Sequence, residues 1–372
     1  MSMAFFRFII ISISVIILAP HEVLSDVNDI SVPKGFKIEE YEGGLGNPRF
    51  MALSPDDVLF VTDMGEGSVV ALPDSNADGK SDNPITYIRG LKRPHGIAFH
   101  DGYIYVGETN QIVRFKYNGY DSKPDKKEVI VPDLPTDGHF TRTVSFGPDG
   151  KMYVSIGSSC NVCVEKDKRR ASIMKFEPDG SKGQILATGL RNSVGLAWHP
   201  ISKELWATDN GRDWLGDNLP PDEVNVIKKQ NDYGWPFCYG DKIPDPEFKM
   251  PDRCSGTVAP VVEIQAHSAP LGLTFYYGEM FPEEYRGDLF IAYHGSWNRS
   301  VPTGYKVVRL KMQDGKVKEI RDFISGFIKE EIKTGRPVDV LVGKKGELYV
   351  SDDFGGKIYK VTATNGSSIS SD

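Results

Sequence analysis

The sequence predicts an all-β fold, a six-bladed β-propeller built from four-stranded antiparallel blades. A short apolar phrase typical of the inner strand of a blade occurs six times along the chain. Each copy turns into a second strand, and the aromatic residue of that strand recurs at roughly the 40 to 50 residue period of propeller blades, apart from one long insertion. A hairpin repeated in this way indicates six blades.

The elements follow in order along the chain. The predicted inner strands cover residues 50–56, 96–99, 144–150, 195–200, 272–275 and 338–342. The predicted second strands cover residues 59–63, 104–108, 152–157, 205–209, 289–293 and 348–352. Residues 35–41 alternate like a strand ahead of the first blade, and we expect them to complete the last blade, which closes the ring without an exposed edge.

One propeller accounts for most of the 372 residues, so we predict a single domain over residues 26–362. Residues 1–25 resemble a secretory signal peptide, with a basic start, an apolar run and a small-residue cleavage site. The mature protein is then secreted or periplasmic, without a membrane span. A retained anchor is the alternative, although the apolar run is short for a bilayer. Residues 363–372 are rich in serine and predicted to be disordered.

The charge distribution indicates a small anionic ligand. The chain has a formal net charge of -7 and no basic run, which argues against a nucleic-acid partner. Basic residues nevertheless gather directly before the inner strands, and because inner strands line the central channel, they ring one mouth of it. Like charges this close are costly unless an anion binds, so we expect a ligand with several carboxylates or phosphates. The basic residues at this phase are Arg49, Arg93, His95, His139, Arg142, Arg191, His267 and Arg336.

The four cysteines of an exported chain are expected to pair. Cys160 and Cys163 form a CxxC motif after a blade strand, and Cys238 and Cys254 bracket the insertion of the fourth blade. We predict the pairs 160–163 and 238–254. A redox-active or zinc-binding CxxC is the alternative, but the chain has neither a second CxxC nor a thioredoxin-like context.

His139 is the candidate general base. It lies in a loop that ends at the channel mouth, three residues before Arg142. The alternative is a structural or surface histidine, which we expect for His100 and His199. Arg191 and Asn192 place a bidentate donor beside an amide directly before an inner strand, and are candidate ligand contacts. The alternative is that Arg191 pairs with an acidic residue of the next blade.

Two loops are rich in oxygen donors and are candidate Ca²⁺ sites. Residues 209–225 offer carboxylates and backbone carbonyls on a loop that contains Gly and Pro. A second loop matches the first nine positions of an EF-hand-like motif, but Ile85 stands where the bidentate glutamate is expected. Its candidate ligands are Asp74, Asn76, Asp78 and Asp82. The alternatives are a solvated acidic loop and a polar turn.

Several phrases together carry a resemblance to a known family. They are residues 139–160, 189–192, 222–225, 231–236 and 293–299, and they occur in order over blades two to six. They resemble the soluble dehydrogenases of sugars that depend on pyrroloquinoline quinone (PQQ), and most of all the L-sorbosone and pyranose dehydrogenase branch. Gly138 stands where the soluble glucose dehydrogenases have an aspartate.

The resemblance implies that PQQ, a tricarboxylate, lies over the channel mouth beside Ca²⁺ and oxidises a sugar, with electrons passing to an external cytochrome or quinone. By the same resemblance His139 matches the catalytic base. The implied cofactor contacts are Arg191, Asn192 and Arg336, with His95 and Arg299 as further candidates. The implied Ca²⁺ site consists of the backbone oxygens of Gly211 and Arg212, with Asp222 nearby.

Two other function classes stay open at this point. A lactonase-type hydrolase would also use Ca²⁺ in the channel, but it would need a ring of acidic and amide ligands rather than arginines. A non-enzymatic propeller that binds a protein or glycan would keep the same scaffold without the cofactor.

Overall fold

The computed structural model describes residue 24 and residues 26–364, which form 28 strands, one short α-helix and two 3-10 helices. The first strands are β1 (Phe36–Glu42), β2 (Pro48–Leu53), β3 (Leu59–Asp63), β4 (Ser68–Leu72), β5 (Ile85–Ile88), β6 (Ile97–His100), β7 (Tyr103–Glu108), β8 (Gln111–Lys116), β9 (Glu128–Val131), β10 (Val144–Phe146), β11 (Met152–Ile156), β12 (Ser172–Phe176), β13 (Gln184–Thr188) and β14 (Leu196–Trp198). The remaining strands are β15 (Leu205–Asp209), β16 (Asp222–Ile227), β17 (Cys238–Tyr239), β18 (Ile243–Pro244), β19 (Val262–Ile264), β20 (Pro270–Phe275), β21 (Leu289–Tyr293), β22 (Lys306–Gln313), β23 (Lys316–Ile324), β24 (Ile328–Lys329), β25 (Ile332–Lys333), β26 (Pro337–Val342), β27 (Leu348–Asp352) and β28 (Lys357–Ala363). The helices are α1 (Pro251–Cys254) and the 3-10 helices Val27–Asp29 and Glu283–Tyr285.

Six four-stranded antiparallel sheets form the six predicted blades, so the fold prediction is confirmed. Blades 1 to 3 comprise β2 to β5, β6 to β9 and β10 to β13, blade 4 comprises β14, β15, β16 and β19, blade 5 comprises β20 to β23, and blade 6 comprises β26, β27, β28 and β1. The predicted inner strands correspond to β2, β6, β10, β14, β20 and β26. In blade 6, β1 pairs with β28, Phe36 opposite Ala363, so the N-terminal strand completes the last blade as predicted.

The hydrophobic core of the described residues lies between adjacent blades, in six clusters. Successive side chains of a strand point to opposite faces of its sheet, so each second strand packs against the blades on both sides. These strands are buried at every position except Tyr103. Their aromatic residues, all less than 8% exposed, are Phe60, Tyr105, Tyr153, Trp206, Phe290 and Tyr349. Burial of each such side chain contributes roughly 1.5 to 3 kcal/mol, and it fixes the angle at which one blade meets the next.

Both predicted disulfides are present. Cys160–Cys163 closes a tight loop after β11, and Cys238–Cys254 joins β17 to α1 in the insertion of blade 4. The sulfurs of the CxxC motif are therefore not free zinc ligands.

Both ends of the chain lie largely outside the described residues. This applies to the predicted signal peptide over residues 1–25, apart from residue 24, and to residues 365–372 of the predicted tail. Among the residues that are described, no helix is both long enough and apolar enough to span a bilayer.

Candidate active site

A cavity of about 430 Å³ opens at one mouth of the central channel, which is a size typical of small-molecule sites, roughly 300 to 1,000 Å³. Residues before the inner strands or after the second strands of blades 1, 3, 4, 5 and 6 line it. Six of the side chains expected at the mouth lie there, namely Arg49, His139, Arg191, Asn192, His267 and Arg336.

An acidic side chain at the end of a second strand fixes the loop before the inner strand in four of the blades. In blade 4, Asp209 accepts hydrogen bonds from the backbone N–H groups of Arg191 (3.0 Å) and Asn192 (2.7 Å). The equivalent contacts elsewhere are Asp63 with residues 46 and 47, Glu108 with Lys92, and Asp352 with Arg336. Because these carboxylates satisfy buried N–H groups, they hold the backbone that carries the mouth residues.

His139 enters the cavity as a neutral imidazole. The chain turns at Gly138, whose φ of 68° favours glycine. The Nδ1 atom of His139 lies 3.0 Å from both the carbonyl oxygen and the Oγ of Ser158. A carbonyl oxygen only accepts, so Nδ1 carries the proton and Nε2 keeps its lone pair. Burial, and then the charge of Arg191, lowers the pKa of His139 to about 3.

Arg191 is buried and held on several sides. Its Nε and Nη2 donate to the backbone oxygen and Oδ1 of Asn161, both at 3.0 Å. Its Nη1 donates to the carbonyl oxygen of Asn210 at 3.2 Å, and Nη2 lies 3.3 Å from Asp213 Oδ2. Arg191 therefore has an acidic partner, as the alternative proposed, but that partner lies in the same blade. Asn161 was not predictable from the sequence, because its contact with Arg191 joins a disulfide loop to the next blade.

Asn192 lines the cavity and carries a buried acceptor without a partner in the described part of the chain. Its side chain is buried, and its Oδ1 has no hydrogen-bond partner among the described residues. A Cβ at position 157 would lie 2.5 Å from that oxygen and 2.7 Å from the Cβ of His139, so only Gly157 lets these two side chains approach each other. A buried amide oxygen of this kind is suited to a ligand donor or a cation.

A second polar cluster joins blades 1, 5 and 6. Asp353 accepts a short hydrogen bond from Arg49 Nη1 and a bond of 2.9 Å from His294 Nε2. Arg336 donates to the carbonyl oxygens of His294 (3.0 Å) and Gly295 (2.8 Å). Burial lowers the pKa of His294 to about 4, although Asp353 opposes that shift, so the imidazole donates as a neutral group.

The mouth therefore carries acidic as well as basic side chains, whereas the sequence predicted a locally cationic mouth. Three carboxylates, Asp213, Asp222 and Asp353, border the cavity together with its three arginines. The physical reason is that a buried guanidinium is unfavourable without a partner. Asp353 was not among the residues predicted from the sequence, although two consecutive aspartates at the end of a second strand were the available signal.

Two of the three predicted metal residues, Gly211 and Asp222, line one side of the cavity, and Arg212 does not. Asp222 accepts the backbone N–H groups of Gly211 and Ala269, both at 2.8 Å, and burial raises the pKa of Asp222 to about 7. The carbonyl oxygen of Gly211 accepts no hydrogen bond from the described residues. The side chain of Arg212 turns away to Asp245, at 2.9 and 3.0 Å, so only its backbone remains a candidate. Carbonyl and amide oxygens are the ligand type that Ca²⁺ requires, and the residues present fit that ion.

The other predicted site residues lie outside the cavity lining. His95 is fully buried behind Arg49, whose Nε lies 3.4 Å from His95 Nδ1. Arg299 donates to the carbonyl oxygens of Asp217 (3.1 Å) and Val301 (2.7 Å), which ties loops at the rim.

The EF-hand-like loop lies between β4 and β5 and folds around its own side chains. Asp82 Oδ2 accepts the backbone N–H groups of residues 75 and 76, and Asp74 Oδ2 accepts that of Gly79. The ligand oxygens of Asp74, Asp78 and Asp82 do not all lie within 4.8 Å of one another. Asn76 Nδ2 donates to both Asp78 and Asp82, so the amide occupies the space between these carboxylates.

Comparison with known proteins identifies the family. Residues 30–364 match the model of the family described as TrAA12-like. The chain belongs to the TrAA12-like family. This membership confirms the resemblance to PQQ-dependent sugar dehydrogenases that the motifs indicated.

Individual relatives of this TrAA12-like chain agree with the assignment. An uncharacterized protein of Borreliella burgdorferi is 36% identical over 369 residues, which covers 94% of each chain. A PQQ-dependent pyranose dehydrogenase of Coprinopsis cinerea is 26% identical over 409 residues, which covers 91% of this chain but 55% of that enzyme. The calcium structure of the Trichoderma reesei AA12 carbohydrate-active enzyme superimposes with a TM-score of 0.80 at 21% identity, over 90% of this chain and 97% of that one, and supports the fold.

Proposed function

We propose that this chain is a PQQ-dependent oxidoreductase that oxidises a sugar at its anomeric carbon, with His139 as the general base. The observation that carries the proposal is a neutral, oriented histidine in a cavity bordered by three arginines. Its Nδ1–H is committed to Ser158, and Arg49, Arg191 and Arg336 supply positive charge at the same mouth. Guanidinium groups suit a polycarboxylate ligand and a neutral imidazole suits proton abstraction, whereas three arginines would oppose the metal of a lactonase although carboxylates border the same cavity.

His139 performs the proton transfer. Its Nε2 lone pair takes the proton of the anomeric hydroxyl while hydride leaves the same carbon, and the C–O bond becomes the carbonyl of a lactone. The Ser158 carbonyl oxygen keeps the Nδ1 proton in place and favours the imidazolium that forms.

The remaining residues bind and orient. Arg191 and Arg336 would pair with carboxylates of the cofactor, Asn192 would offer its amide, and Gly211 would offer its carbonyl oxygen to Ca²⁺. When bound, PQQ would supply a two-electron acceptor for the hydride and Ca²⁺ would supply Lewis-acid assistance, with an external cytochrome or quinone as the final electron acceptor. We further propose export through residues 1–25, so that the reaction takes place outside the cell or in the periplasm.

The test is a titration of the apoprotein with PQQ in the presence of Ca²⁺, in which the quenching of tryptophan fluorescence measures binding. Arg191→Ala and Arg336→Ala should each weaken binding by roughly tenfold to a hundredfold, the value of a charge-assisted pair. Arg321→Ala is the matched control, because Arg321 is exposed on β23. The loaded wild type should reduce a dye in the presence of aldoses, and chelation should abolish this reversibly.

Two results would contradict the proposal. One is a wild type that does not bind PQQ with Ca²⁺ present. The other is unchanged affinity in both arginine variants, which would favour a binding propeller instead.

A further inference from the structure

Two exposed tryptophans stand together at the rim of the cavity. Trp214 and Trp297 are each 68% exposed, and their rings meet edge to face with centroids 5.4 Å apart and an interplanar angle of 89°. Folding normally removes most of an indole from water, so a contacting pair left in solvent indicates a binding surface rather than a packing residue. We call this pair the tryptophan platform.

The platform is held in a fixed arrangement. Trp214 has a φ of 73°, in the left-handed region that is unfavourable for a bulky side chain. Asn298, next to Trp297, donates through Nδ2 to Oδ1 of Asp213, next to Trp214, at 3.0 Å. The hydrogen bond between the two neighbouring residues therefore joins the backbone segments that carry the two indoles.

Further hydrogen bonds join the same two loops. Arg299 donates to the carbonyl oxygen of Asp217 at 3.1 Å, and the backbone N–H of Ser300 donates to Asp217 Oδ1 at 3.0 Å. The loops of blades 4 and 5 that carry the two indoles are therefore joined by several hydrogen bonds. Preorganisation of this kind reduces the entropy lost on binding.

The platform is continuous with the cavity. Trp297, Asp213 and Asn298 border it, and Asp213 also contacts Arg191. A ligand that occupies the cavity and extends toward blades 4 and 5 would meet the indoles next.

We propose that the tryptophan platform binds a second sugar ring, so that the enzyme accepts a saccharide whose reducing-end ring lies in the cavity and whose next ring packs on the indoles. This inference rests on the proposed function. A pyranose has a face of C–H groups and a rim of hydroxyls, so an indole removes the apolar face from water. Asp217, Asn218 and Arg299 lie in the same two loops, where their mutual hydrogen bonds hold the polar rim beside the indoles.

The size of the platform favours a sugar over a protein partner. A specific protein interface buries roughly 1,200 to 2,000 Å² in total, whereas two indoles in contact offer about the area of one sugar ring. Docking of a protein electron acceptor is therefore the competing outcome in the test.

The experiment compares a monosaccharide with its short oligomers. The PQQ-loaded wild type, Trp214→Ala and Trp297→Ala are assayed with glucose, cellobiose and maltose and a soluble dye as acceptor. Both alanine variants should lose roughly tenfold in kcat/KM for a disaccharide. Trp214→Ala, at a residue outside the cavity lining, should change glucose oxidation less than about twofold, and Trp297→Ala should affect glucose less than it affects the disaccharide. The matched control is Ile201→Ala, since Ile201 is 72% exposed in the turn between β14 and β15. Trp214→Tyr and Trp297→Tyr keep a ring and should retain most of the disaccharide activity, which separates stacking from misfolding.

A second measurement does not depend on turnover. Isothermal titration of the apoprotein with cellotriose and maltotriose should show binding that both alanine variants lose. If the wild type oxidises no saccharide but this binding is present and platform-dependent, the proposed function fails and the platform stands. Equal losses for glucose and disaccharides, or a change confined to the KM of a protein acceptor such as cytochrome c, would overturn the platform.

Discussion

The imidazole of His139 is bonded through Nδ1 to the carbonyl oxygen of Ser158, at 3.0 Å. That one contact decides the tautomer, because the proton must lie on the atom that faces the carbonyl. It leaves Nε2 as the basic atom, on a residue that borders the cavity. Nδ1 therefore serves as the donor and Nε2 as the base, and the contact with Ser158 is sufficient to orient the imidazole.

Replacing His139 with glutamine is expected to lower kcat by ~10² to 10⁴, because a general base acts on the chemical step, and to leave PQQ affinity nearly unchanged. Rapid mixing of the PQQ-loaded enzyme with sugar measures kcat, and fluorescence titration measures the affinity for PQQ. His199→Gln serves as control on a half-buried histidine away from the cavity. Full turnover in the His139→Gln variant would remove His139 from the mechanism.

The pH profile is a second prediction for the same residue. Since the pKa of His139 is lowered to about 3, its basic form persists on acidification, and kcat should show no histidine-type fall between pH 8 and pH 5.

The Cys160–Cys163 loop supports both halves of the site. Ser158 Oγ donates to the carbonyl oxygen of Cys160 at 2.7 Å, and Asn161 accepts two bonds from Arg191. Replacing both cysteines with serine should therefore weaken PQQ binding by about tenfold, the value of one or two hydrogen bonds to a charged group.

The second disulfide provides the control for that experiment. Cys238 and Cys254 are 16 residues apart, against three for the first pair, so their loss should cost more stability, about 3 kcal/mol. The double serine variant at 238 and 254 is expected to unfold at lower denaturant concentration yet bind PQQ as the wild type does. If both variants lose affinity in proportion to stability, the first loop has no specific positioning role.

The fold was predictable from the sequence because its signal is local and repeated. Each blade has the same pattern of an apolar strand, a turn and a second strand with an aromatic residue. Six copies of this pattern predict a six-bladed propeller. The positions of His139 and Arg191 followed from the same phase, since inner strands converge on one channel.

The partners of those residues were not predictable in this way. Arg49 and Asp353 meet across 304 positions of sequence, and a pairing of that range has no local pattern. Arg299 is a second residue whose contacts have no local pattern in the sequence. Its place in a family-like phrase suggested a cofactor contact, but its guanidinium bonds the rim loops, which sequence spacing could not reveal.

Asp339 makes the stability of the propeller depend on pH. It lies on β26, accepts the backbone N–H of Met51 at 2.9 Å, and burial raises its pKa to about 7. The unfolded chain releases the same proton near pH 3.9, so the unfolded state is increasingly favoured as pH rises from about 4 to 7. The stabilisation is therefore complete below pH 4 and lost above pH 7.

Asp339→Asn should remove this dependence. Its free energy of unfolding relative to wild type is expected to rise by roughly 2 to 4 kcal/mol between pH 4 and pH 8, as measured by urea denaturation at both values. Asp314→Asn, at an exposed turn between β22 and β23, should show no such change. A parallel pH dependence in wild type and Asp339→Asn would mean that the carboxyl titrates normally in the folded state.

Gly138 is required by both conformation and space, and a second glycine separates the two effects. Gly138 has a φ of 68°, and a Cβ there would lie 2.5 Å from backbone atoms of Ser159. Gly102, in the turn between β6 and β7, has a φ of 77° but open space within 4 Å. Gly102→Ala should lower the free energy of unfolding only by the cost of the left-handed conformation, about 1 to 2 kcal/mol, whereas Gly138→Ala should lower it clearly more because the backbone must move.

The same two variants should differ in turnover. Since Ser159 follows Ser158, the residue that holds Nδ1 of His139, Gly138→Ala should also lower kcat, and Gly102→Ala should not. Urea denaturation and dye reduction on the two variants decide the matter, and equal behaviour in both assays would show that the space around Gly138 is not a constraint.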